Sequence, residues 1–171
     1  MSDWRTHLIA DDEGLREILR TARTVAVLGA KADPAAPAHF VPAYLHAQGY
    51  RILPVNPTLA GRTLFGEAVR ATLADLADPV DVIEIFRRPA HLPDHAGEIL
   101  ALGWRPRAVW FQLGIRHDGA AEALARAGIR VVQDRCMMPE HRRLLGERGV
   151  PGPGPGIPRP GGARASGALA E

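Results

Sequence analysis

The 171-residue chain has a single cysteine, Cys136, few aromatic side chains (5%) and almost no imbalance of charge, with 21 basic against 19 acidic residues. One cysteine excludes an intramolecular disulfide and suits a reducing compartment. Near-balanced charge without a dense Lys/Arg block argues against nucleic acid as a partner, although a local basic pocket for a phosphate is compatible with it. No apolar run approaches the ~18 residues of a membrane span. The opening MSDWRTHLIADDEG has no apolar core of signal-peptide length, so a soluble, cytoplasmic protein is expected. Catalytic signatures are equally scarce. There is no G-x-G-x-x-G, P-loop or G-x-S-x-G, and His39, His91, His95, His117 and His141 are scattered without metal-ligand spacing.

The chain does contain apolar material, 46% of the residues, in short segments separated by turn signals. Leu15, Ile18, Leu19 and Ala22 follow helical spacing within 11–23, where Asp11, Asp12 and Glu13 gather at the electropositive start. TVAVLG (24–29) is nearly unbroken and rich in valine, the pattern of a strand buried on both faces. RILPV (51–55), VDVIEIF (80–86), AVWFQ (108–112) and IRVVQ (129–133) supply four more strands. Helical segments are expected from His39–Val41 to Gln48, opening there because Pro42 is a poor interior residue, and over 72–77, 92–102, 118–127 and 138–145. Gly49, Gly103 and Gly128 are expected to close the helices they follow. The stretch NPTLAGRTLFG reads as loop, and nothing signals a tight hairpin. Strands alternating with helices imply an α/β chain with a five-stranded parallel sheet, helices on both faces and a doubly wound, Rossmann-like order. Ten of the twelve residues in PGPGPGIPRPGG (151–162) are Pro or Gly, which blocks helix and ladder alike. The expected division is one domain over 1–148 and a disordered tail over 149–171.

In such sheets ligands lie beyond the C-terminal ends of the strands, where strand order reverses. Gly29 permits a sharp turn, Ala30 permits close approach of a phosphate to backbone amides, Lys31 adds charge, and the next helix points its positive end at the same place. The bland alternative is a glycine that merely closes a strand–helix turn. After the second strand, Val55 and Asn56 stand where an NAD site usually has Asp or Glu on the ribose, which counts against NAD. Asn56 can serve a ligand, and Asn56-Pro57 can equally start a turn. Phe86, Arg87 and Arg88 follow the third strand, with Arg87 assigned to the site and its neighbour to solvent. Gln112, Leu113 and Gly114 follow the fourth, while Trp110 and Phe111 read as core. Cys136 reads as a small buried apolar residue more readily than as a nucleophile.

Taken in order, VAVLGA, GYRILPVNP, VDVIEIFRRP, VWFQLGI and GIRVVQDRCM resemble the small stand-alone bacterial and archaeal CoA-binding domain proteins over about Leu15 to Leu145. These are similar in fold to the N-terminal CoA-binding domain of the succinyl-CoA synthetase α subunit. The resemblance implies CoA or an acyl-CoA as ligand. Gly29-Ala30-Lys31 would meet the phosphates, Asn56-Pro57 and the loop to Gly61 would lie along the nucleotide, and Phe86-Arg87 and Gln112-Leu113-Gly114 would flank the pantetheine. The synthetases carry a phosphorylated histidine on a second domain, and no residue here matches it, so CoA ligation by this chain unaided is not expected. A non-catalytic CoA-binding module leads. The alternatives are an NAD(P)-dependent oxidoreductase, a CoA-dependent transferase, a redox-sensing domain and an interaction subunit with a vestigial site. A homodimer or another protein partner is left open.

Overall fold

A computed structural model describes residues 3–146; the Pro/Gly-rich stretch expected to form a tail lies outside them. The main sheet contains β1 (Thr24–Leu28), β2 (Arg51–Val55), β5 (Val82–Ile85), β6 (Ala108–Phe111) and β7 (Arg130–Val132), all parallel, in the order β2-β1-β5-β6-β7. The chain steps from β1 outward to β2 and then returns past β1 to β5. The reversal therefore falls between the C-terminal ends of β1 and β5.

Alternation along these strands divides the core into two layers. Ala26, Leu28, Ile83, Ile85, Val109 and Phe111 face α3 (Leu92–Ala101) and α4 (Asp118–Arg126). Val25, Val27, Val82, Ala108 and Trp110 face α1 (Asp12–Thr21), α2 (Pro37–Ala47) and α5 (Met137–Leu144). This is a doubly wound, Rossmann-like α/β fold, and Trp110 and Phe111 are core residues as expected. Pro54 is tolerated within β2 because β2 is the edge strand, where a missing donor breaks no ladder between neighbours on both sides. Asp11 lies just outside α1 and caps it, accepting from the Gly14 amide at 3.1 Å.

Four local expectations are corrected. α2 opens at Pro37 rather than near His39–Val41 and carries Pro42 in its interior. The carbonyl that Pro42 leaves without an intrahelical donor belongs to Ala38, and the Lys31 amide takes it at 3.3 Å. A tertiary contact thus replaces the lost helical bond. Second, the segment read as loop contains a hairpin, β3 (Thr63–Leu64) and β4 (Glu67–Ala68), turning through Phe65 and Gly66 at φ 55° and 78°. Positive φ at both turn residues is the geometry that matches strand twist, normally supplied by Asn-Gly. Phe65 occupies it with its ring 5.0 Å from that of His39 and 6.3 Å from that of His46, both on α2. Third, only Leu73–Asp75 of the predicted 72–77 helix winds, as one short 3₁₀ turn with Thr72 and Asp75 capping each other. Fourth, Gly49 and Gly128 adopt the expected left-handed conformation, whereas Gly103 does not, because α3 has already ended in an extended Leu102.

Candidate functional site

Gly29 continues the β1 ladder by donating to the Val55 carbonyl at 2.9 Å, then turns at φ 91°. A Cβ built here would lie 2.5 Å from the Phe86 carbonyl oxygen and 3.2 Å from Arg87 Nε. No side chain fits, so the glycine is what lets the ends of β1 and β5 close together at the reversal point. Ala30 is fully buried, and its carbonyl accepts from Asn56 Nδ2 at 2.8 Å. Lys31 is held by its backbone at both ends: its amide donates to Ala38, and its carbonyl accepts from His39 Nδ1 at 2.8 Å. That bond sets the proton of His39 on Nδ1. The exposed Lys31 side chain then stands beside the start of α2, where the N-cap is Ala36 and no side chain caps the helix. No side chain covers the electropositive end of α2, although Pro37 brings no N–H there and the His39 amide is already bonded to the Ala36 carbonyl at 2.8 Å.

Arg87 completes this corner. Its Nε is buried and has no hydrogen-bond partner, an expensive state for a cationic donor. Gln112, 6% exposed, likewise has an unpartnered buried Oε1. Beyond it Gln112, Leu113, Gly114 and Ile115 form a turn closed by the Ile115 amide on the Gln112 carbonyl at 2.8 Å, with Gly114 at φ 83°. The Gly114 amide donates to Asp134 Oδ1 at 2.6 Å, and the Asp134 amide returns to the Ile115 carbonyl at 3.1 Å. Asp134 adopts φ 56°, a conformation unfavourable for a residue with a Cβ, to make that clasp.

Between these parts opens a crevice of about 380 Å³. Of the residues expected from sequence, Lys31, Phe86, Arg87, Gln112 and Leu113 line it. Gly29 and Ala30 lie buried behind them and shape the corner. Val55, Asn56, Pro57 and Gly114 are not part of the lining. Val55 is core, Pro57 begins a short 3₁₀ turn, and the Asn56 amide is used internally, since its Oδ1 also accepts from the Thr58 amide and hydroxyl at 3.0 and 2.8 Å. Asn56 thus ties the end of β2 to the end of β1. The start of α2 at Ala36–Ala38, together with Pro89 and Ile115, lines the crevice without having been singled out, and Arg88, assigned to solvent from sequence, is exposed but lines the crevice beside Arg87. The misplaced start of α2 hid the first three.

The crevice lining combines cationic side chains and the Gln112 amide with apolar surface. Among the described residues no group of three His, Cys, Asp or Glu is placed to hold a metal. Cys136, at the N-cap of α5, is half-buried, and burial raises its thiol above the usual range despite a hydrogen bond from Gln112 that pulls the other way. It is a neutral thiol at pH 7 rather than an activated nucleophile. Glu84 lies in β5 on the α1/α2/α5 face, flanked by Val27 and Trp110 on the adjacent strands. It is fully buried with neither carboxyl oxygen partnered, and desolvation raises its pKa to about 8. Mid-strand position alone gives no signal of this in the sequence. No described helix is long and apolar enough to cross a membrane.

A family model described as CoA binding domain matches residues 23–142, which include every element of the crevice. A protein of Bacillus subtilis, the uncharacterised YneT, is 31% identical over 127 residues, 74% of this chain and 91% of that one. Among solved structures, one from Thermus thermophilus is 56% identical with a TM-score of 0.75, covering 79% of this chain and 99% of its own. A hypothetical protein from Pyrococcus horikoshii OT3 is 33% identical with a TM-score of 0.73, over 80% of this chain and 94% of its own. With the matched segment running from the start of β1 into α5, the chain belongs to the CoA-binding domain family.

Proposed function

We propose that the protein binds coenzyme A at the β1/β5 reversal point and holds it without transforming it. The observation that carries this reading is the buried, unpartnered Arg87 Nε lying against Gly29, beside the uncapped start of α2. A guanidinium and a helix start that no side chain caps lie in one lining and make it electropositive, which suits an anion such as phosphate. Lys31, fixed by its backbone at the same corner, adds a second mobile charge. The cofactor's pantetheine would run past Phe86 and Gln112 toward Leu113.

Lack of an NAD-type ribose acid supports CoA over a nicotinamide dinucleotide, because Asn56 holds that position and its amide is already bonded to Ala30 and Thr58. The non-catalytic part rests on the lining: among the described residues it has no carboxylate, histidine or thiol to move a proton or attack a thioester. A cytoplasmic carrier or sensor of CoA accords with a single unactivated thiol.

Calorimetric titration with CoA, NAD and NADP tests the reading. CoA should bind most tightly, and Arg87→Gln should weaken it by the worth of a charge-assisted hydrogen bond, roughly 1.5–3 kcal/mol or ten- to a hundredfold in Kd. Preference for NAD, or an unchanged Kd in the variant, would remove CoA or Arg87 from the assignment.

A further inference from the structure

Resting on the CoA reading, we infer that the crevice is built for an acyl-CoA rather than free CoA, with the rigid Leu113 turn forming the seat of an aliphatic acyl chain. Leu113 is 65% exposed, the most exposed large hydrophobic side chain among the described residues. It is not on a loose loop. The turn carrying it is closed on itself through Gln112 and Ile115, joined to β5 by the Gln112 amide on the Ile85 carbonyl at 3.2 Å, and clasped from β7 by Asp134. Asp134 keeps a left-handed backbone to maintain that clasp. Backbone strain at a binding edge is retained where it positions a group. Here it holds an apolar side chain in water, which is unfavourable until something apolar covers it.

Ile115, Pro89, Ala36 and Pro37 add further apolar surface to the lining that carries Leu113. The cationic corner and the apolar seat line one continuous crevice, so a ligand with phosphate at one end and hydrocarbon at the other matches both.

The test is a titration series with CoA, acetyl-CoA, butanoyl-CoA and hexanoyl-CoA on the wild-type protein and on Leu113→Ser. In the wild type, Kd should fall along the series, by up to roughly fourfold for each methylene fully buried. In Leu113→Ser the ratio of Kd for CoA to Kd for hexanoyl-CoA should collapse toward one, whatever happens to free CoA itself. Equal affinities across the series in the wild type, or an undiminished ratio in the variant, would overturn the acyl seat while leaving CoA binding intact. No binding by any member would overturn the CoA reading, and this inference with it. Sedimentation of the same two proteins gives a further check: a dimer dissociated by Leu113→Ser, without any acyl gradient, would assign the patch to a second copy of the chain instead.

Discussion

Replacing Glu84 by glutamine should flatten a fall in stability that the wild-type protein shows as pH rises. In the folded state this carboxyl is fully buried with neither oxygen partnered, and desolvation keeps it protonated to a pH of about 8, against an ordinary value of 4.5. Below 4.5 folded and unfolded chains both hold the proton, and the residue adds no pH dependence. Between 4.5 and 8 the unfolded chain has released the proton and the folded one has not, so each pH unit favours unfolding by ~1.4 kcal/mol. Crossing the whole window costs about 5 kcal/mol, a large share of the ~5–15 kcal/mol that stabilises a typical domain. Glutamine keeps the size and removes the titration, at a pH-independent cost of about 1–3 kcal/mol for its own unpartnered amide. The informative quantity is therefore the slope, not the absolute stability. Urea unfolding at pH 5 and pH 8.5, followed by the fluorescence of buried Trp110 and the other tryptophans, gives it for both proteins. Titrations shared by the two cancel in the comparison. Wild-type and variant stabilities that run parallel over this range would show that Glu84 is ionised or solvated in the fold, refuting the burial argument.

His141 should act in the opposite sense. It is fully buried, its Nδ1 lies 2.8 Å from the Tyr44 hydroxyl, and desolvation, then the Arg142 charge, lowers its pKa. The folded state binds that proton less readily than the unfolded one, so its contribution is intact above 6.5 and is lost as pH falls below that value; thermal melts at pH 5 and 7 should show this for the wild type and not for His141→Gln, and equal pH responses would refute it. Gly29→Ala places a Cβ against the Phe86 carbonyl at a positive φ and should cost about 2–4 kcal/mol in chemical denaturation; a neutral result would mean that the two strand ends can part freely. Asp134→Asn retains both an acceptor and tolerance of left-handed backbone and should stay within about 1 kcal/mol of wild type, whereas Asp134→Ala should lose about 1–3 kcal/mol. Equal effects of the two substitutions would show that the clasp on Gly114 contributes nothing.

The sheet and the strand ends were readable because a strand buried on both faces must be a short apolar run, as 24–28, 82–85 and 108–111 are. Once the runs are placed, the residues after them are placed too, which is why Lys31, Arg87 and Gln112 meet at one crevice. What escaped notice depends on partners distant in sequence. Pro42 is acceptable in α2 only because Lys31 replaces its missing donor. Phe65 enters a left-handed turn with two histidine rings of α2 packed beside it, and no local rule assigns a phenylalanine there. Glu84 looks like the polar member of an alternating strand, yet the helix layer formed by α1, α2 and α5 covers its face. Asn56 was legible as either ligand group or turn former, and only the positions of Ala30 and Thr58 reveal where its amide is bonded.

The proline inside α2 has an effect on the crevice that reaches past the helix itself. Because position 42 withholds a donor, one rung of the helical ladder is free to serve as a mooring for the loop that presents Lys31. An ordinary residue there would bring its own N–H to the Ala38 carbonyl and compete with the loop for it. Making the helix more regular would thus slacken the anion corner, so in this fold a better helix and a better-defined binding edge pull against each other at a single carbonyl.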